Sequence, residues 1–170
     1  MIALSQKQVH LKTSNFVDLI NEMADEINKN LNKRKKEKYF ESIALLYSFI
    51  ENVLKWLIYA NALWTRSAKK ITTKDIRVIQ NSCKKLNFFG ATNVAYIDGL
   101  IDLELYRRIH GIREERNKII HKFWVYQRRG DLRVMRKKLE KLATTANSLV
   151  GIFNRVTRRI GVEEVYEIVL

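Results

Sequence analysis

Residues 111–123 hold the residue types best suited to chemistry on a phosphate ester. The segment reads GIREERNKIIHKF and brings together a guanidinium, an amide and an imidazole, at Arg116, Asn117 and His121. A guanidinium is a permanent cation that binds phosphate through paired hydrogen bonds, and an imidazole exchanges a proton near neutral pH. These three residues therefore predict a site that holds a phosphodiester and moves a proton.

Helical periodicity places Arg116 on an apolar face. At about 100° per residue, one stripe of the helix collects the apolar residues around position 116. They are Ile101, Leu105, Ile109, Ile112, Ile119, Ile120 and Phe123. Because a guanidinium cannot lose its charge, a buried arginine needs an acidic partner or an anionic ligand. Glu51, on an otherwise apolar segment, is the best internal partner, and an Arg116–Glu51 pair that only fixes helix packing is the alternative to a catalytic role.

A second face of the same helix is polar and aromatic. At steps of three and four residues it carries His110, Arg113, Asn117, His121 and Trp124. A single histidine on a helix is most often structural. The grouping of His121 with Asn117 and the off-pattern Arg116 favours chemistry instead, with Glu51 and Arg113 as possible support.

The segment resembles the HEPN superfamily (higher eukaryotes and prokaryotes nucleotide-binding), small helical domains found in many ribonucleases of toxin-antitoxin and defence systems. The motif of that family is an arginine, a polar residue that is often asparagine, and a histidine a few residues later, near the end of a core helix. Arg116, Asn117 and His121 match its Arg-x4-His form. The resemblance covers roughly residues 39–159, because a long apolar segment with Glu51 precedes the motif and a basic segment follows it.

The resemblance implies a metal-independent endoribonuclease that acts as a homodimer, with two copies of the motif facing a shared cleft. His121 would be the general acid or base, acting on the ribose 2′-hydroxyl or the leaving 5′-oxygen. Arg116 would stabilise charge on the scissile phosphate, and Asn117 would orient either group. The products would carry a 2′,3′-cyclic phosphate. No cofactor or metal is implied, and the expected partners are RNA, a second copy and an antitoxin protein.

The residue two positions after the histidine departs from one subgroup of that family. Toxins paired with a small nucleotidyltransferase antitoxin have a tyrosine there, which is the site of adenylylation, whereas this chain has Phe123. Control by adenylylation at that position is therefore excluded. Tyr126 lies about one helical turn further along.

A basic segment follows the motif. Residues 127–160 contain ten Lys and Arg against two acidic residues, and the whole chain has a formal net charge of +14. Such a charge indicates a polyanionic partner, most simply nucleic acid. Arg128, Arg129 and Arg133 are expected to contact phosphates, and Trp124 or Tyr126 to stack on an unpaired base. The alternative is a solvated basic face beside core aromatics.

The whole pattern predicts a single all-α domain over residues 1–170, a bundle of four or five helices. The absence of proline from the chain favours long helices. A first helix should begin at Ser5 or Ser14 and end near Asn32, a central helix should fill residues 39–64, and a last helix should follow residue 131. The acidic tail, residues 162–170, is ambiguous between helix and strand.

The helices between these are marked by caps and glycines. Candidate N-caps are Thr72 or Thr73, Thr92 or Asn93, and Asp131. Gly90 is expected to end the third helix, because glycine is common just past a helix C-terminus. Residues 94–122 should then form either one helix or two joined near Gly99.

The composition and motifs restrict the cellular compartment and the classes of catalytic or metal site that we expect. A lone cysteine, Cys83, excludes an internal disulfide and fits a reducing cytoplasm. The apolar stretch 43–50 is short against the ~20 residues of a membrane span, and no signal peptide opens the chain, so we expect no membrane partner. There is no glycine-rich phosphate loop, no Ser or Cys nucleophile motif and no zinc-ligand spacing.

Two other functions stay open at this point. One is a HEPN-like module that binds nucleic acid, a nucleotide or a partner protein without turnover. The other is an unrelated basic bundle that binds DNA or a membrane surface. In that bundle Arg116 and His121 would be unimportant, and the basic residues of 133–141 would dominate affinity.

Overall fold

The computed structural model describes residues 6–33, 35–67, 71–121 and 132–158. These residues form six helices and no strand, which confirms the all-α class but exceeds the four or five helices predicted. In chain order they are α1 (Gln6–Asn32), α2 (Lys36–Ser67), α3 (Thr73–Lys85), α4 (Phe88–Ile97), α5 (Leu103–His121) and α6 (Leu132–Arg158). The acidic tail and Asp131 lie outside the described residues.

The central element is α2, which packs against α1, α3, α4 and, most extensively, α6. Apolar side chains cover most of its circumference, so it can be buried against neighbours on several sides. Those of Leu46, Phe49, Ile50, Val53, Leu54 and Leu57 are completely buried. Each such side chain stabilises the fold by about 1.5–3 kcal/mol relative to an exposed one. In contrast, α5 packs mainly against α4 and α6.

The length and composition of α2 would also suit a membrane span. Over Glu37–Arg66 its best window reaches a mean hydropathy of 1.3, so the apolar stretch is longer than the sequence alone indicated. However, 61% of that window is buried inside the protein. A buried core helix meets the same criteria as a membrane span, so this feature is weak evidence for a membrane.

The N-terminus of α3 is fixed by a reciprocal cap, as predicted for Thr72. The Asp75 backbone N–H donates to the Thr72 hydroxyl at 3.2 Å, and the Thr72 N–H donates to the Asp75 carboxylate at 2.9 Å. Two otherwise unpaired backbone donors are thereby satisfied. The Asp75 carboxylate also accepts a hydrogen bond from the Thr72 hydroxyl at 2.6 Å, and this bond and the one from the Thr72 N–H hold the pKa of Asp75 below its usual value.

The predicted boundary at Gly90 is wrong. Asn87 caps α4 by accepting a hydrogen bond from the Gly90 N–H at 2.8 Å, so the glycine lies in the first turn of a helix and does not end one. The predicted starts at Thr92 and Asn93 are wrong for the same reason. Thr92 is buried within α4, where its hydroxyl donates to the Phe88 carbonyl at 2.7 Å.

The break between α4 and α5 falls at Gly99, which confirms the two-helix alternative. Gly99 has a φ of +67°, a left-handed conformation that glycine adopts without the steric cost of a Cβ. Asp102 then begins α5 by accepting a hydrogen bond from the Leu105 N–H at 2.8 Å. The short turn folds α5 back against α4 and so positions the motif helix.

Candidate functional site

The apolar stripe of α5 faces the core as predicted. Ile101, Leu105, Ile109 and Ile112 are each at most 3% exposed. Arg116 continues this stripe by one turn and is half-buried. The side chains of Ile119 and Ile120, and all of Phe123, lie outside the described residues. Arg116, a permanent cation, therefore lies at the end of the buried part of the stripe.

The charge of Arg116 acts on a buried tyrosine of α2. Tyr47 is 4% exposed, and its hydroxyl has no hydrogen-bond partner in the described part of the chain. Burial raises the pKa of Tyr47 well above its ordinary value, and the negative charge of Glu115 raises it further. The positive charge of Arg116 acts in the opposite direction. Both α5 side chains are thus near enough to influence this hydroxyl.

The acidic partner predicted for Arg116 is engaged elsewhere. The Glu51 carboxylate accepts a hydrogen bond from Lys55 Nζ at 2.7 Å, one turn further along α2. A lysine four residues after a glutamate lies on the same helix face and can form an ion pair with it. In addition, α2 makes few direct contacts with α5. The Arg116–Glu51 pair is therefore not formed. Among the described residues Arg116 has no ion-pair partner.

The other motif residues stand at or near the end of α5. Asn117 and Lys118 are exposed, and position 121 is the last residue of the helix. The side chain of His121 lies outside the described residues, as do Trp124, Tyr126, Arg128 and Arg129. Arg133 is exposed in the first turn of α6. The described structure thus brings Arg116 and Asn117 together and leaves the relation of the other predicted site residues to them open.

Arg113, predicted as possible support for the motif, contacts an aromatic ring of α4. Its guanidinium carbon lies 4.6 Å from the centroid of the Phe89 ring, a cation–π arrangement. Phe89 also meets His110 edge-on, with centroids 5.3 Å apart. This part of the polar face of α5 therefore faces α4, and Arg113 is held beside Phe89.

The aromatic contacts continue along both helices. The Tyr106 ring lies 4.5 Å from His110 and 4.7 Å from Tyr96, centroid to centroid. We call the rings of Tyr96, Tyr106, His110 and Phe89, with the Arg113 guanidinium, the aromatic ladder. Its two outer rings are well exposed, Phe89 by 42% and Tyr96 by 39%. The sequence did not predict the ladder.

Two polar atoms within the ladder are buried without a partner. Within the described residues, neither His110 Nε2 nor Arg113 Nε has a hydrogen bond. Burial and the nearby Arg113 charge lower the pKa of His110, although Glu114 opposes them, so the imidazole is neutral at physiological pH. By contrast, the Tyr106 hydroxyl donates to Asn93 Oδ1 at 3.1 Å.

A separate cavity lies between α2 and α3. It has a volume of about 290 Å³ and is lined by Asn52, Lys55, Trp56, Tyr59, Gln80, Cys83 and Lys84. Burial raises the pKa of the Cys83 thiol, which disfavours the reactive thiolate. No group of three or more metal-ligating side chains occurs in the described ranges.

The all-α class alone does not identify the family of this chain. The all-α fold is compatible with the HEPN resemblance and equally with other helical families. The resemblance therefore rests on Arg116, Asn117 and His121 and on the order of the helices around them. No protein-family model, curated protein or solved structure matches the chain.

Proposed function

We propose that the chain is a metal-independent endoribonuclease of toxin-antitoxin or defence type, with Arg116, Asn117 and His121 as its catalytic residues. The observation that carries this proposal is the half-buried Arg116, which has no acidic partner in the described structure. A guanidinium in that position has its donors available for an anion. A phosphodiester would supply the negative charge that no described residue supplies to Arg116 through an ion pair.

The proposed reaction uses the hydroxyl of the RNA as nucleophile. The ribose 2′-oxygen attacks phosphorus, the bond to the 5′-oxygen breaks, and the products are a 2′,3′-cyclic phosphate and a 5′-hydroxyl. His121 would remove the proton from the 2′-hydroxyl or supply one to the leaving oxygen. Arg116 would stabilise the additional negative charge on the phosphate, and Asn117 would orient the reacting groups.

Helical geometry supports a site shared between two copies of the chain. Positions 116 and 121 are about 140° apart around the axis of a regular α-helix. In one copy of α5, the two positions therefore lie on different sides of the helix. A second copy beside it would bring an arginine of one chain and a histidine of the other to a shared site. The homodimer is part of the proposal for this reason.

The charge of the chain supports RNA as the substrate. Its formal net charge is +14, and Arg133 stands exposed in the first turn of α6. Arg128, Arg129 and Arg133 would contact phosphates, and Trp124 and Tyr126 would contact bases, as the sequence predicts. An antitoxin protein would be the natural partner of a ribonuclease of toxin type.

Cleavage of labelled single-stranded RNA in the presence of EDTA tests the proposal. The wild type should cut and leave cyclic phosphate ends, whereas His121→Ala should lose about 10²- to 10⁴-fold in rate. Arg116→Lys should also lose activity, because it keeps the charge but not the paired donors. Arg107→Ala is the matched control, since Arg107 is exposed on the same helix and outside the motif.

The alternative functions give different results in the same assay. If neither the wild type nor His121→Ala cuts but both bind RNA with a strong salt dependence, the chain is a binding module. If Arg107→Ala loses as much activity as Arg116→Lys, the motif has no special role. Circular dichroism and sedimentation of each variant establish that it is folded and keeps the oligomeric state of the wild type.

A further inference from the structure

We propose that the aromatic ladder is a second RNA-binding site, which stacks unpaired nucleobases of a single strand. This inference rests on the proposed function for its ligand class, because it names the form of RNA that is bound. It does not require catalysis, since none of the ladder residues belongs to the Arg116, Asn117 and His121 motif. The two proposals can therefore fail separately.

The spacing of the rings gives the first argument. Consecutive centroids from Tyr96 through Tyr106 and His110 to Phe89 are 4.7, 4.5 and 5.3 Å apart. Neighbouring rings are tilted by 37°, 50° and 88°, so they form a chain of ring contacts across two helices, whose exposed ends are Tyr96 and Phe89. A nucleobase presents a flat aromatic face that can stack on an exposed end ring, and such stacking binds any base sequence.

The unpaired polar atoms give the second argument. His110 Nε2 and Arg113 Nε are buried and lack a hydrogen bond among the described residues. A buried polar group without a partner costs free energy that a polar ligand or a bridging water can recover. Nucleotides carry the ring nitrogens, carbonyls and phosphate oxygens that could pair with these two nitrogens. Because both atoms are buried, such pairing requires the side chains around them to shift when the ligand binds.

The position of Arg113 links the ladder to the phosphate proposed at Arg116. The Arg113 guanidinium lies over one face of the Phe89 ring, 4.6 Å from its centroid, at one exposed end of the ladder. Positions 113 and 116 are separated by about 4.5 Å along the helix axis. A strand whose phosphate lies at Arg116 therefore has its neighbouring nucleotides within reach of Phe89.

The charge of the chain favours RNA over another protein as the occupant. A formal charge of +14 attracts a polyanion such as RNA. A guanidinium at the edge of exposed rings combines base stacking with phosphate binding, which is how single-stranded nucleic acids are held without reading their sequence. An extended single strand is thus the ligand that fits the ladder best.

Binding to an uncleavable probe isolates the ladder from the motif. The probe is a fluorescein-labelled 2′-O-methyl oligouridine of about twelve nucleotides, a length within the range that such sites cover. It lacks the 2′-hydroxyl, so wild type and variants can be titrated by fluorescence anisotropy without cleavage. Phe89→Ala and Tyr96→Ala are each expected to weaken binding by about 5- to 100-fold.

The control is Ile97→Ala, which removes an exposed apolar side chain from the same helix without removing a ring. Ile97 is 79% exposed, and its loss should leave affinity unchanged within about twofold. Phe89→Leu keeps apolar volume and should still weaken binding, so the proposal remains testable if Phe89→Ala is unstable. An abasic oligomer of equal length should bind the wild type as weakly as the oligouridine binds Phe89→Ala.

Four results would overturn the proposal. These are equal affinity for Phe89→Ala and Ile97→Ala, equal affinity for abasic and normal probes, equal affinity for duplex and single-stranded RNA, or dissociation of a dimer by Phe89→Ala. The last result would assign the ladder to an interface between copies. If RNA is cut normally while the ladder variants bind like the wild type, only this inference fails. If the ladder variants lose binding but the wild type cuts nothing, only the ribonuclease proposal fails.

Discussion

The two helices α2 and α5 both carry an apolar stripe, but their polar side chains have different environments. On α2, Glu51 is paired with Lys55 one turn away. On α5, Arg116 has no acidic partner within the described ranges, and Arg113 and His110 each bury an unpaired nitrogen. We attribute this difference to the number of packing partners, because α2 packs against four helices and α5 mainly against two. Among the described residues, α5 therefore has more buried, unpaired polar atoms than α2, where the Tyr47 hydroxyl is such an atom.

The same contrast separates stability from function. The completely buried side chains of α2 supply much of the apolar core, and α5 adds one narrow stripe at its edge. Substitutions that reduce the core should therefore unfold the protein, whereas substitutions on the outer face of α5 should change ligand binding first. Three stability measurements test this division, in order of decreasing effect.

The largest effect is expected from Phe49→Ala in α2. Phe49 is completely buried, so the substitution removes a ring from the core and leaves a cavity, at a cost of about 3–5 kcal/mol. Leu103→Ala at the start of α5 is the control, since Leu103 is 43% exposed and should cost less than about 0.5 kcal/mol. Urea unfolding followed by circular dichroism measures both. Equal losses in the free energy of unfolding would contradict the proposed difference between the two helices.

An intermediate effect is expected at the turn that joins α4 to α5. Gly99→Ala places a Cβ on a residue with a φ of +67° and should destabilise the protein by about 1–2 kcal/mol. Gly111→Ala is the matched substitution inside α5, where an added Cβ would meet no atom within 4 Å. It should stabilise the protein by about 0.5–1 kcal/mol, because alanine favours the helix. Changes of the same sign in thermal melts would contradict one of the two expectations, and a reversal of both signs would contradict both.

The smallest effect is expected from Tyr47→Phe. The Tyr47 hydroxyl is buried without a hydrogen-bond partner among the described residues, so removing it takes away an unsatisfied group. The free energy of unfolding should stay the same or increase, by no more than about 1 kcal/mol. A loss larger than that would show that the hydroxyl is bonded in solution. Tyr59→Phe, at another buried tyrosine of α2, provides the comparison.

Local signals predicted the helices well where a side chain and its own backbone decide the structure. Thr72 and Asp75 form a cap from residues three apart, so the sequence contains the whole interaction. The error at Gly90 arose from the same local scale. A glycine can end a helix or lie in its first turn. Because Asn87 caps α4, Gly90 lies in the first turn. The stronger signal was Asn87, three residues before the glycine.

Interactions between helices were the part that the sequence did not predict. Arg116 was correctly placed on the apolar stripe, but its proposed pair with Glu51 is replaced by the local pair with Lys55. The sequence did not predict the aromatic ladder because its rings come from two helices, which the turn at Gly99 folds against each other. The spacing of Tyr106 and His110, four residues apart on one helix, was the available signal.

The turn at Gly99 also has a consequence for the order of folding. All residues of the aromatic ladder lie between positions 89 and 113, so its contacts join residues that are near one another in sequence. Local contacts require little loop closure and form early, whereas the packing of α2 against α6 joins distant parts of the chain. The ladder can therefore assemble before the core is complete. Tyr106→Ala should then slow folding more than it speeds unfolding, which stopped-flow kinetics can measure.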